Sequence, residues 1–287
     1  MRTGEEKQIK MKTFRMIANS VLLVMLCLSF TACEDEDEPN IDGEETINPG
    51  RVFTNGLPKS AEGATMTYNE KGLLTKLLTN EGQEITFEYD NKTRAVNQSS
   101  DVRMKVVEED GEIFIFDMQI NDNGFVTHCT ETEEDGDIET WDFKYTAEGN
   151  LNYMKRSEGG NEVTKIIYQN GNIIRTETIS EDDNTEGYSC DVKYTSEENV
   201  SLIANKGCIM LFDQTFGVDM DEMKYAYYAG LLGKATKDLP IEITDKYSDN
   251  DEVYISKFNW TFNQSGLPTE LDVTNDEGYT DKIVFQW

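Results

Sequence analysis

One unit recurs along most of this chain: an alternating apolar stretch ending in an aromatic or aliphatic residue, a few polar residues, a glycine, then a second apolar run. It reads Met66-Thr67-Tyr68-Asn69-Glu70-Lys71-Gly72-Leu73-Leu74 and returns as Met118-Gln119-Ile120-Asn121-Asp122-Asn123-Gly124-Phe125-Val126. Further copies run from Phe143 through Gly149 to Leu151, from Ile166 through Gly171 to Ile173, and from Trp260 through Gly266 to Leu267. Ile85 to Asp90 and Val192 to Asn199 are degenerate copies that lack the glycine. Period-two alternation puts Phe143 and Tyr145, or Phe258, Trp260 and Phe262, on one face of a strand. Asn, Asp and Gly tolerate the left-handed backbone of tight hairpins. Strand, turn and strand, with no helical stretch between, predict an antiparallel meander. Pro58, Pro240 and Pro268 stand outside the strand centres and leave the ladders intact.

One segment departs from this pattern. Between Val218 and Gly233 the residues are VDMDEMKYAYYAGLLG, with Asp219 or Asp221 able to cap a helix. Met223, Ala226, Tyr227 and Leu231 follow helical spacing, and Gly233 with Lys234 suits a helix end. The expectation is a helix of about three turns over 218–233, packed over one opening or face of the sheet.

The N-terminal region is of a different kind. Arg2, Lys7, Lys10, Lys12 and Arg15 precede a short apolar run from Met16 to Phe30, the pattern of a secretory signal peptide, with Met1 or Met11 as its start. Phe30-Thr31-Ala32-Cys33 resembles a lipobox, in which the cysteine is acylated and becomes the first mature residue. The sequence thus divides into a signal peptide at 1–32, a lipidated Cys33 with an acidic tether to residue 52, and a single β-meander domain at 53–287. The run Glu34, Asp35, Glu36, Asp37, Glu38 after the cysteine resembles the surface-export signal of Bacteroidetes lipoproteins, and it is also a self-repelling solvated tether.

Charge narrows the functional classes. The chain carries 56 acidic against 26 basic residues, a net charge of -30. Nucleic-acid binding needs clustered Lys and Arg, so it is excluded as a general activity. A single histidine, His128, argues against zinc sites built on several His and against His-based nucleophile triads. His128 adjoins Cys129, but neighbours in a strand point to opposite faces and cannot act as a pair. Cys129, Cys190 and Cys208 are too widely spaced for a Cys-x-x-Cys motif and are expected to be buried small hydrophobes, with at most one disulfide among them. Asp135 to Glu139, Glu181 to Asn184 and Asp249 to Glu252 are oxygen-rich enough for calcium, yet none has EF-hand spacing and turn tips collect acids anyway. Trp141 and Trp260, with Trp287, could stack on a sugar ring; in alternating strands such residues are more often core. No metal, cofactor or catalytic residue is predicted.

Tyr68-Asn69-Glu70-Lys71-Gly72 and Tyr89-Asp90 resemble the YD repeats of Rhs-type surface proteins. Residues from about 51 to 287 resemble a Bacteroidetes lipoprotein family of unknown function with a porin-like fold. The resemblance is carried by Ala229-Gly230-Leu231-Leu232-Gly233-Lys234, Leu239-Pro240, Gly266-Leu267-Pro268 and the final strand Lys282 to Trp287. It implies a strongly curved, open or incompletely closed barrel-like antiparallel sheet. It does not imply a pore, since the strands are expected to be too few for a membrane barrel and a mean hydropathy of -0.59 leaves no unbroken apolar band for lipid. The function expected is that of a non-enzymatic lipoprotein anchored in the outer membrane, binding a glycan, peptide or partner protein at the cell surface. A periplasmic structural or assembly lipoprotein is the alternative, and a hydrolase the third.

Overall fold

Each of the five glycine-bearing units is a β-hairpin. The strands are β1 (Ser60–Ala61), β2 (Ala64–Tyr68), β3 (Leu74–Thr79), β4 (Glu84–Tyr89), β5 (Val102–Val107), β6 (Ile113–Ile120), β7 (Val126–Glu133) and β8 (Ile138–Tyr145). They continue as β9 (Leu151–Arg156), β10 (Glu162–Gln169), β11 (Asn172–Ser180), β12 (Gly187–Lys193), β13 (Glu242–Tyr247), β14 (Val253–Phe262), β15 (Pro268–Asn275) and β16 (Thr280–Val284). The computed structural model describes residues 47–89, 100–182, 187–248 and 253–287, all within one unit, Glu44–Trp287. Among the described residues these sixteen strands form a single sheet in which every strand pairs antiparallel with its sequence neighbours.

The hairpin unit has a consistent internal chemistry. In the 69–73 turn Asn69 Oδ1 accepts the N–H of Lys71 at 2.9 Å and of Leu73 at 3.0 Å, and Asn121 and Asn263 do the same in their turns. Gly72 has φ 76°, a left-handed position that a side chain would strain. The register slips by one residue just before each of these turns, at Tyr68, Ile120, Tyr145, Tyr168 and Phe262. Such a bulge bends the strand and adds twist, which curls a long meander toward a barrel. The tyrosines at unit ends also join neighbouring hairpins. The hydroxyls of Tyr89, Tyr145, Tyr168 and Tyr194 donate to the carbonyls of Leu74, Val126, Leu151 and Ile173, each at the start of the preceding strand. The degenerate units that lost the glycine, ending in Tyr89 and Tyr194, kept this tyrosine.

The sheet closes almost fully. Its two ends meet at one bridge, Ser60 with Gln286, where Lys59 N–H donates to the Gln286 carbonyl at 2.8 Å and Gln286 N–H to that of Ser60 at 2.9 Å. The rest of the seam is unsealed. Outward side chains are mostly polar, and charged ones pair across strands, as in Arg103 with Asp117 at 2.8 Å and Lys193 with Glu242 at 2.5 Å. Inward ones are apolar and buried, among them Leu77, Met104, Phe116, Met118 and Leu271. Contrary to the expectation from the sequence, the strands are not too few for a membrane barrel, since sixteen form the sheet. It is the inward apolar side that is the reverse of a membrane-spanning barrel, which faces lipid with its apolar side.

The interior is filled by chain. The β12–β13 connection, 194–241, enters and leaves at the barrel end that carries the 69–73, 121–125, 146–150, 170–171 and 263–267 turns, here the closed end. It is pinned there by Lys234 N–H to the Gly149 carbonyl, Lys237 N–H to that of Gly171, and Val126 N–H to that of Leu231. From there it reaches the opposite, open end, where the Tyr225 hydroxyl donates to Gln83 at 2.8 Å. The three-turn helix expected over 218–233 is not formed. Instead there is a 3-10 helix at Asp221–Tyr227, preceded by a short α-helix at Phe212–Phe216. A helix rises only about 1.5 Å per residue, whereas this segment must cross the barrel and return. Besides its own turn bonds it bonds to strand ends, as at Val126 and Gly149, and Gly230 and Gly233 at φ 76° and 84° break any helix. The domain also begins earlier than residue 53. Pro49, Val52 and Phe53 are buried, with Phe53 packed on Tyr227 and Tyr228 at ring distances of 5.4 and 6.4 Å. These apolar residues have a core to enter, which the acidic run before them does not supply.

Candidate functional site: the acidic open end

Antiparallel meanders place alternate turns at opposite ends, and here the two ends differ in charge. Among the described residues, the open-end turns, at 62–63, 80–83, 108–112, 134–137, 157–161, 181–182, 248 and 276–279, contain fourteen Asp and Glu and not one Lys or Arg. The closed-end turns at 69–73, 121–125, 146–150, 170–171 and 263–267 hold three acids and one base, and Lys206, Lys234 and Lys237 of the inserted segment pack against them.

Arg156 is the focus of one side of the open end. It ends β9, whose inward face alternates through Met154, so its guanidinium is carried into the barrel mouth. Only 7% exposed, it donates to Glu162 at 2.9 Å and Asp221 at 2.7 Å, with Glu158 at 3.6 Å and Asp219 at 3.7 Å. Burial works against its charge, but Glu162, Asp219 and Asp221 outweigh that and hold it firmly protonated. Its guanidinium also lies 5.7 Å from the Trp141 ring. Nearby carboxyls feel the crowding. Burial pushes Glu131 up to about 8, helped by Glu139, Glu222 and Asp221 and opposed by the Trp141 indole N–H that it accepts at 2.8 Å. Glu139 rises to about 7, again chiefly through burial, with Glu158 adding to it.

The other side of the mouth mixes tyrosines with acids. Tyr188, Tyr247 and Tyr254 form a ring cluster on β12, β13 and β14, with centroid distances of 6.0 and 5.8 Å; Tyr247 and Tyr254 are both 45% exposed. Asp245 sits beside Cys190 across the β12–β13 pair, and burial, then Asp213, raises its pKa. At the seam, Glu62 accepts the Tyr228 hydroxyl; burial raises Glu62, Lys224 and Tyr228 oppose that, and Asp213 adds to it. The arrangement is an acidic rim with aromatic surface on one side, suited to holding a cationic partner.

The residues singled out from the sequence are scattered through the molecule. His128 and Cys129 point to opposite faces: His128 Nδ1 meets Asp142 at 2.8 Å on the outside, while Cys129 is fully buried. Trp141 and Trp260 form no stacking platform. They are 1% and 8% exposed, and their indole N–H groups donate to Glu131 and to the Pro240 carbonyl, so both are core residues. Trp287 donates to the Pro268 carbonyl at 2.6 Å. Cys129, Cys190 and Cys208 are all unpaired thiols, the first two buried. In the Asp135 loop Asp135 Oδ1 accepts the Asp137 N–H, a turn bond, and among the described residues no three acidic, His or Cys side chains converge as a metal site. Cys33, the run 34–38 and the 249–252 loop lie outside the described residues. Arg156 and its acids were missed; the available signal was a lone arginine on the apolar face of an alternating strand.

The comparisons agree with this architecture. A family model described as a domain of unknown function (DUF4595) with porin-like fold matches residues 66–270. Among solved structures, a porin-like protein from Bacteroides uniformis ATCC 8492 is similar at a TM-score of 0.55 and 20% identity, covering 78% of this chain and 89% of that one. A porin-like protein from Bacteroides vulgatus ATCC 8482 is similar at 0.51 and 14%, covering 78% and 91%. No curated protein matches the chain. At these identities the structures bear on the fold alone. The family match spans well over half of the sequence, and the chain belongs to this porin-like family of domains of unknown function.

Proposed function

We propose that this chain is a non-enzymatic lipoprotein, tethered to the outer membrane through Cys33, whose open barrel end binds a peptide or protein partner at the cell surface. The observation that carries the proposal is the charge segregation: fourteen acids and no base among the described residues in the turns of one end. A rim of one sign raises the local concentration of cationic partners and steers their approach. Burial of Trp141 and Trp260 weighs against a glycan and toward a polypeptide. The separation of His128 from Cys129 weighs against a nucleophilic hydrolase.

Protease treatment of intact cells tests the placement. Digestion before the outer membrane is opened is the expected result, whereas protection until lysis sinks surface display and favours the periplasmic structural reading. Cys33→Ala tests the anchor: the protein should move from the membrane to the soluble fraction. A glycan array on the full chain should be blank, and a saturable sugar hit would displace the polypeptide reading.

A further inference from the structure

The unsealed seam leaves a strand edge free beside the acidic mouth. Phe285 N–H donates to the Thr269 carbonyl, so that position faces β15, and the alternation of an antiparallel ladder turns Ile283 and Asp281 the same way. Gln286 faces the other way and bonds to Ser60. Thr280, Lys282 and Val284 share its parity, so their backbone N–H and C=O groups point into the seam. β1 ends at Ala61 and the chain turns back through Glu62 and Gly63, at φ 51° and 75°, so among the described residues no strand runs beside Thr280–Val284. Such a row of unpaired groups is a template for an added strand.

We propose that this edge of β16 captures an extended cationic peptide segment of another protein by strand addition. The inference rests on the binding reading above and specifies its ligand. Charge selects the occupant. The edge is bordered by Asp276 and Glu277 in its own turn, by the inward-facing Asp281, and by Glu62 across the seam. Lys282 is already neutralised by Glu270 at 2.6 Å and Asp272 at 3.5 Å. A second copy would bring the same acidic rim against this one, and the chain's own 34–38 run consists of five acids; like charges disfavour both. A foreign strand with Lys or Arg at alternate positions would place them against Asp281 and Glu62 while its backbone completes the ladder.

The test is fluorescence anisotropy with the full chain and a labelled Lys-Val-Lys-Val-Lys-Val peptide. Controls are the Glu-Val analogue and the same Lys-Val peptide N-methylated at consecutive central residues, so that neither of its edges can pair. Saturable binding is expected, weakened at least tenfold by N-methylation and absent for the Glu-Val peptide. Val284→Pro removes one seam-facing N–H without touching the β15 ladder and should weaken binding at least tenfold with an unchanged near-UV spectrum. If that variant fails to fold, the N-methylated peptide on the natural chain still decides. Equal binding of methylated and unmethylated peptides overturns strand addition yet leaves the acidic end as a charge-based binding surface. No binding of either cationic peptide, or a dimer by sedimentation that buries β16, also overturns it. The protease test on intact cells reads the cellular placement independently of all of these.

Discussion

The two ends of this barrel are built from the same hairpins but solve different problems. At the closed end, turns of the Asn-x-x-Gly kind are bonded within themselves, stapled by tyrosine hydroxyls to the preceding strand, and sealed by the inserted segment. Asn172 shows how complete this is: its amide donates to Asp238 at 2.9 Å and its carbonyl oxygen accepts from Asp238 N–H at 2.9 Å and Thr236 at 3.2 Å. At the open end the turns gather like charges, one buried arginine serves several carboxylates, and Glu131 and Glu139 are held away from their ordinary pKa. Satisfied polar groups specify a structure, whereas crowded charges of one sign oppose it. The difference suggests that the closed end supplies stability and the open end gives some up for a surface.

Substitutions can break or sharpen that contrast. The largest effect is expected from Gly233→Val at the closed end. A Cβ there would lie 2.7 Å from the Gly149 carbonyl oxygen at φ 84°, so a loss of more than about 3 kcal/mol, or failure to fold, should appear in chemical denaturation. Asn172→Leu should cost about 2–3 kcal/mol by stranding Asp238 and Thr236 in the interior. A milder cost than that of an exposed turn substitution would refute the idea that this end carries the stability.

The open end should respond in the opposite sense. Glu131 has a folded pKa raised to about 8, so its protonated form is favoured in the native state. Stability from this group is therefore full below its unfolded pKa, near the ordinary 4.5, and is lost as pH climbs through about 8. Glu131→Gln keeps an oxygen for the Trp141 indole and should raise stability by about 1–2 kcal/mol at pH 9, with little change at pH 4. Denaturation at both pH values checks this, and destabilisation at pH 9 would show that the carboxylate is needed by Arg156. The smallest effect belongs to the rim itself. Asp135→Asn with Asp137→Asn should shift stability by less than about 0.5 kcal/mol and vanish in high salt, while weakening cationic-peptide binding.

Much of this architecture was legible from the residues. Alternation and the Asn-Gly turns define the hairpins because strand faces and left-handed turn positions are local properties, decided within a few residues. Tyr89 and Tyr194 were visible as degenerate repeats, but not as pegs, since their partners Leu74 and Ile173 lie one strand away. The 218–233 segment misled for a related reason: Met223, Ala226, Tyr227 and Leu231 are spaced for one helical face, yet all are buried because barrel walls surround the segment. Trp141 and Trp260 have the composition of a platform and the position of a core.

Sequence by itself therefore determined the strand-and-turn grammar, the acidic balance and the absence of a recognisable catalytic motif, because each is set by residue identity and short-range spacing. Only the tertiary structure decided which turns share an end, that Arg156 draws together Glu162, Asp219 and Asp221, and that β16 is left with a free edge. Those depend on how bulges, strand pairing and the inserted segment combine over the whole barrel, and no short stretch of residues encodes that sum.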